Sequence, residues 1–180
     1  MLEISIPETE VYNERTQEFS VLPSLELSFE HSLVSLSKWE MIWEKPFLSN
    51  VEKTDEEVLS YLLCMCLTPK ITMSDIRRLS IDQRKQLSNY IDKSATATTF
   101  HNQRPAGSSR ELITSELIYY WMVAQQIPFE CENWHLNRLT TLIKICGIKS
   151  SPPKKMSRSE MLAQRQQLNA QRRSQMGSRG

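Results

Sequence analysis

Glycine is scarce in this sequence, 4 in 180 residues, too few to supply the phosphate-cradling loops of nucleotide-dependent enzymes. No apolar run approaches the roughly 18 residues needed to cross a membrane. The start, Met1-Leu-Glu-Ile-Ser-Ile-Pro-Glu8, lacks the basic residues and long apolar stretch of a secretory signal, so the cytoplasm is the expected compartment. Net charge is nearly absent as well. Lysine and arginine total 22 against 21 aspartates and glutamates, leaving +1, and the chain as a whole exerts no general pull on nucleic acid or an anionic membrane. With 39% apolar residues, a chain this long builds one core and at most a small appendage, not two large domains.

Metal-binding spacing is also missing. Cys64 and Cys66 lie close together, and Cys131, His135 and Cys146 are further candidates. Zinc sites, however, present paired ligands from loops, whereas two residues i and i+2 on a helix project about 200° apart. Small buried thiols are common core residues, and four reduced cysteines with no metal and no cofactor is the expectation. His135 near Cys131 and Glu130 suggests a thiol with its base, but no Asp or Asn at a recognisable spacing completes a triad. The cluster Asp55-Glu56-Glu57 sits just after Thr54, where a helix N-terminus already favours acidic groups. No catalytic residue emerges, and the chain reads as a non-enzyme.

What charge there is separates along the chain. Residues 1–60 carry 13 acidic residues against Arg15, Lys38, Lys45 and Lys53, while from Pro152 to Gly180 seven lysines and arginines face only Glu160. An acidic front and a basic tail attract one another within a molecule or between copies, over a screening length of about 8 Å at physiological salt. A homo-oligomer is therefore one expectation.

The periodicities predict a mainly α fold: a compact bundle of about five helices, a small N-terminal β-hairpin and a projecting C-terminal helix. Leu2, Ile4 and Ile6 alternate with polar residues, and Phe19, Val21, Leu25, Leu27 and Phe29 keep the period of two, so residues 1–31 read as strands. Pro23 makes its strand an edge, a bulge or two short pieces, and an unpaired edge from Phe19 to Phe29 offers strand addition between copies. Residues 32–150 read as the helical core. Leu33, Leu36, Trp39 and Trp43 share a face in a helix ended by Lys45-Pro46. A capping box, Thr54 with Glu57, opens a second helix with Val58, Leu59, Leu62, Leu63 and Cys66 on its apolar face. Ser80 with Gln83 opens a third, carrying Leu87, Tyr90 and Ile91, with a short turn around Asp75–Leu79 before it. Lys93–Ser109 reads as a loop. Ser108 with Glu111 then opens a fourth helix whose apolar residues, from Leu112 and Ile113 through Tyr120 and Val123, surround it and make it central. The fifth spans about Asn133 to Cys146, with Gly147 at a left-handed end.

Residues 151–180 form the last piece: a Pro152-Pro153 linker, then a helix opened by Ser157 and Glu160 and rich in Gln and Arg. It carries few apolar groups, and a lone helix of about 18 residues is marginal in water, so a frayed or partner-stabilised helix is expected, ending in a disordered Gly177-Ser-Arg-Gly180. Tyr, Phe and Trp are all missing from it, which removes the stacking platform of single-strand nucleic-acid binders. The partner-binding candidates are Arg158, Met161, Leu162, Arg165, Leu168, Arg172 and Arg173, together with Trp39 and Trp43. For the two tryptophans an interface role competes with a core role, since aromatic anchors are enriched at hot spots but these two continue the Leu33-Leu36 stripe.

Ser35-Leu-Ser-Lys-Trp39-Glu-Met-Ile-Trp43-Glu-Lys-Pro46-Phe-Leu, Ser115-Glu-Leu-Ile-Tyr-Tyr-Trp121, Ile127-Pro-Phe-Glu130, Trp134-His-Leu-Asn-Arg-Leu139 and Pro152-Pro-Lys-Lys-Met156 give the chain a character that resembles tail assembly chaperones of long-tailed, siphovirus-type bacteriophages, over most of residues 30–175. The resemblance implies a small, mostly helical, non-catalytic protein of the host cytoplasm. Its partner would be the tape measure protein, a very long helical chain, bound while the tail tube polymerises. Further partners implied are the tail tube protein and a frameshifted longer form of the chain itself. A basic-tailed nucleic-acid accessory protein and a minor structural tail component are the alternatives.

Overall fold

Pro7 and Pro23 divide the N-terminal hairpin into two storeys. The computed structural model describes residues 1–13, 17–99, 112–150 and 158–176. β1 (Leu2–Ile6) pairs antiparallel with β4 (Leu25–Phe29), and β2 (Thr9–Asn13) with β3 (Glu18–Leu22). Proline brings no N–H to a ladder, so both arms of the hairpin break at the same level, and of the three outcomes open at Pro23 the two short pieces result. The Arg78 guanidinium fills the break: its Nη2 donates to the Pro7 carbonyl at 3.1 Å and the Pro23 carbonyl at 2.8 Å.

The inner storey carries the alternation into the core. Its register sets Leu2 opposite Phe29, Ile4 opposite Leu27 and Ile6 opposite Leu25, and Ile4, Ile6, Leu27 and Phe29 are buried. Its edges are covered. Leu67 N–H donates to the Ser28 carbonyl at 2.8 Å and Glu30 N–H to the Met65 carbonyl at 3.0 Å, while Gln83 Nε2 donates to the Ser5 carbonyl at 2.8 Å. The edge expected to be open from Phe19 to Phe29 is thus occupied at its inner end. The outer storey differs: Val11, Tyr12, Phe19 and Val21 are exposed, because the period of two runs on past the point where helices cover the sheet.

α1 (Leu33–Trp43) starts from a capping box of Ser32 and Ser35 and ends with Glu44 in the left-handed region, φ 52°, ahead of Pro46. α2 (Asp55–Met65) forms behind the expected Thr54–Glu57 box; of the expected stripe Leu62 is buried and Leu59, Leu63 and Cys66 pack against the core, with the most buried line shifted toward Tyr61 and Met65. Tyr61, Leu62 and Met65 are buried, Val58 is exposed, and Cys66 caps the end. Polar partners set this rotation: the Tyr61 hydroxyl meets His31 Nδ1 at 2.5 Å and Ser60 Oγ accepts from Trp43 Nε1 at 3.0 Å. The turn near Asp75 is a true helix, α3 (Met73–Arg77), and α4 (Ile81–Asp92) follows the Ser80–Gln83 box with Leu87 buried.

α5 (Ser115–Ala124) begins later than expected, capped by Thr114. The Ser108–Glu111 box falls outside the described residues, and Leu112 and Ile113 precede the helix and are exposed. Ile118 and Met122 are buried while Tyr120 and Val123 face solvent, so α5 has one buried side and is not surrounded. After a 3₁₀ turn (Phe129–Asn133), α6 (Leu136–Ser150) runs through Gly147. That glycine is interior to a helix and ends nothing. Together with α7 (Arg158–Met176) the described residues hold seven helices, against an expected bundle of about five and a C-terminal helix, and the architecture is mainly α.

Two apolar clusters meet across α1. One joins β1, β4, Trp39, Tyr61, Met65, Ile76 and Leu87; the other joins Leu33, Leu36, Ile118, Met122, Cys131, Leu139 and Ile143. Full burial of each such side chain is worth about 1.5–3 kcal/mol. Strands and helices therefore share one compact unit, Met1–Gly147, and Ile148–Gly180 form a second.

Candidate partner-binding surfaces

α7 is built from good helix formers, Ala, Leu, Gln and Arg, with Arg173 in its last turn, where a cation suits the helix dipole. At 100° per residue, Met161, Arg165, Leu168 and Arg172 fall within about 60° of one another, at i, i+4, i+7 and i+11. Leu162 and Arg173 flank this stripe. Met161 is 49% exposed, Leu162 54% and Leu168 46%, and every described side chain of α7 is exposed. The Arg158 side chain, the Ser157–Glu160 box, the Pro152-Pro153 linker and the Gly177–Gly180 end lie outside the described residues.

The tryptophans sit elsewhere. Trp39 is 1% exposed; its Nε1 donates to the Glu57 carbonyl at 2.8 Å, and its ring stacks on Trp43 at 6.2 Å and meets Phe47 edge-on at 5.0 Å. Its competing readings resolve in favour of the core, since no indole face is left for a partner. Trp43 is half-buried, its Nε1 spent on Ser60, with Lys45 Nζ 5.8 Å above its ring. Lys45 also binds Glu57 Oε1 at 2.6 Å. That hydrogen bond, with one from the Thr54 backbone, holds the Glu57 carboxyl below the usual carboxylate range. A cavity of about 260 Å³ opens beside them, between Trp39, Pro46, Val51 and Leu112, with Lys45 and Lys53 on its rim.

A polar cluster lies where the two apolar clusters meet. His31 is buried, and burial first, then the neighbouring His135, push its pKa down to about 4 against a small opposing pull from Glu30. His135 directs Nε2 to the Tyr90 carbonyl at 2.9 Å, and its Nδ1 accepts from Asn137 N–H at 3.3 Å. Both ring nitrogens thus serve backbone groups. The Tyr90 hydroxyl donates to Glu30 Oε1 at 2.7 Å, and burial followed by this bond raises the phenol's pKa. A broad cleft of about 690 Å³ opens beside Glu30, Tyr90, His135 and Arg138. Arg138 lies over the Trp134 ring at 3.9 Å. Among the described residues no three His, Cys, Asp or Glu side chains gather as metal ligands, and burial raises the Cys64 thiol's pKa.

Two residues escape the sequence reading. Glu40 is buried and serves backbone donors on two segments; its clue is its place on the same stripe as Leu33, Leu36 and Trp43. Arg78 carries no sequence signal, because its partners are carbonyls freed by two distant prolines. No helix among the described residues is long and apolar enough to cross a membrane. Comparison of the chain with family models, curated proteins and solved structures finds no match.

Proposed function

We propose that this chain is a non-catalytic tail assembly chaperone that holds the tape measure protein in soluble form while the tail tube polymerises, and that α7 is its capture element. The observation that carries this reading is the mixed stripe of α7, whose apolar side chains are about half exposed. Three side chains about half exposed are worth roughly 1 kcal/mol each on burial. Ordering a marginal helix uses part of that. One such contact is therefore weak, weaker than millimolar, which suits a holder that must be displaced and that works as many copies along one long helical chain. Binding the unassembled partner draws it away from self-association by mass action. Host cytoplasm follows as the compartment.

The test is co-expression with a tape measure protein, with and without residues 152–180 of this chain. Full-length chain should raise the partner's soluble fraction and the truncated chain should not; equal rescue by both overturns the assignment to α7. In purified virions the chain should be absent or strongly substoichiometric. Stoichiometric retention would favour the structural-component reading, and binding to nucleic acid that collapses with rising salt would favour the accessory-protein reading.

A further inference from the structure

We propose that the outer storey of the hairpin, β2–β3, is a docking face for the α7 stripe of a second copy of this chain. One face of that storey carries Tyr12, Phe19 and Val21. Tyr12 and Phe19 are opposite one another with ring centroids 4.9 Å apart, and Phe19 is 71% exposed. Glu10, opposite Val21, completes the face. Aromatic and β-branched side chains exposed on a two-stranded ribbon form an apolar surface, and such a ribbon is marginal until something covers it.

Charge selects the occupant. Residues 8–22 hold four glutamates against Arg15, and Glu8, Glu10 and Glu18 are exposed. A second arm laid on this one would set like charges together, which is destabilising. α7 is the complement: residues 158–176 hold four arginines against Glu160. Its stripe alternates Met161, Arg165, Leu168 and Arg172, so each apolar side chain that reaches the arm is followed by a guanidinium placed for a glutamate or for the face of Tyr12 or Phe19. The lengths agree. From Met161 to Arg172 the helix rises about 16 Å, and a five-residue strand spans about 17 Å.

The two surfaces differ, so the contact is heterologous and links copies head to tail. It does not depend on the identity of the partner proposed above. It does make self-association and capture compete for one helix.

Sedimentation equilibrium of the full chain tests this. At low salt the weight-average mass should climb above 21.0 kDa with concentration and fall back as salt screens the contact. Phe19→Arg on the arm, with Val21→Lys as a second arm variant, and Arg165→Glu/Arg172→Glu on the helix should each weaken association at least about tenfold, a loss of about 1.4 kcal/mol. All four positions are exposed, and circular dichroism checks that the fold is kept. Mixing an arm variant with the helix variant leaves one good arm and one good helix, so the mixture should stop at twice the monomer mass. A full chain that stays monomeric at every concentration, variants that associate like the parent, or a mixture that stays monomeric overturns the proposal.

Discussion

Glu40 Oε2 accepts the backbone N–H of Ser115 at 2.7 Å across 75 residues of sequence. Ser115 is the first residue of α5, so a carboxylate on α1 satisfies an N–H that the second helix cannot satisfy itself. Its other oxygen accepts Phe47 N–H at 2.9 Å. One side chain thus fixes the end of α1, the turn after it and the start of α5. Glu40→Ala leaves two inner donors unpaired and should cost about 2–4 kcal/mol, while Glu40→Gln, which keeps one acceptor, should cost about 1–2 kcal/mol. Urea unfolding of the three proteins measures both losses.

His31 makes the fold acid-sensitive. In the folded chain its pKa is about 4 against an ordinary 6.5, so below pH 6.5 the unfolded chain takes up a proton that the folded chain refuses. Stability is fully present above pH 6.5 and falls until about pH 4, by a total of about 3 kcal/mol. Glu57, held below the usual carboxylate range, adds loss in the same direction at lower pH. Thermal midpoints between pH 7 and pH 4 should drop steeply, and His31→Gln should flatten the slope over that window.

Trp39 and Trp43 separate on mutation. Trp39→Ala removes a buried ring and the donor to the Glu57 carbonyl, a loss of about 3–5 kcal/mol. Trp43→Ala removes a half-buried ring, with a loss of about 1–2 kcal/mol. Denaturant midpoints should rank the parent first, then Trp43→Ala, then Trp39→Ala.

Gly147→Ala should stabilise the protein by about 0.5 kcal/mol, because alanine is the better residue inside a helix. Among the described residues the added methyl would meet the Gln125 amide nitrogen, at 3.4 Å. A small rise in melting temperature confirms this; a fall would show that crowding against Gln125 outweighs the gain in helix propensity.

Features decided within four or five residues were legible in the sequence. The boxes Thr54–Glu57 and Ser80–Gln83 form as read, since each is a closed exchange between a side chain and a nearby backbone. Pro23 likewise imposes its break through its own missing N–H. Features decided from far away were not. The phase of α2 answers to His31 and Trp43, which reach it from other elements, and no count of apolar residues within the helix contains them. The start of α5 answers to Thr114 and Glu40, and the exposure of Phe19 to where the helical layer stops. For α7 the stripe is visible from spacing alone, whereas what covers it depends on a second surface that helical periodicity does not describe.

The proline break closed by Arg78 limits how the hairpin can propagate. A strand that adds to β2 or β3 gains hydrogen bonds only as far as Pro7 and Pro23, where the carbonyls already belong to a guanidinium and no N–H is offered. Cross-β growth seeded on the outer ribbon therefore stalls after one short segment and cannot unzip the sheet that lies in the core. The chain can display a greasy ribbon without that ribbon becoming a fuse.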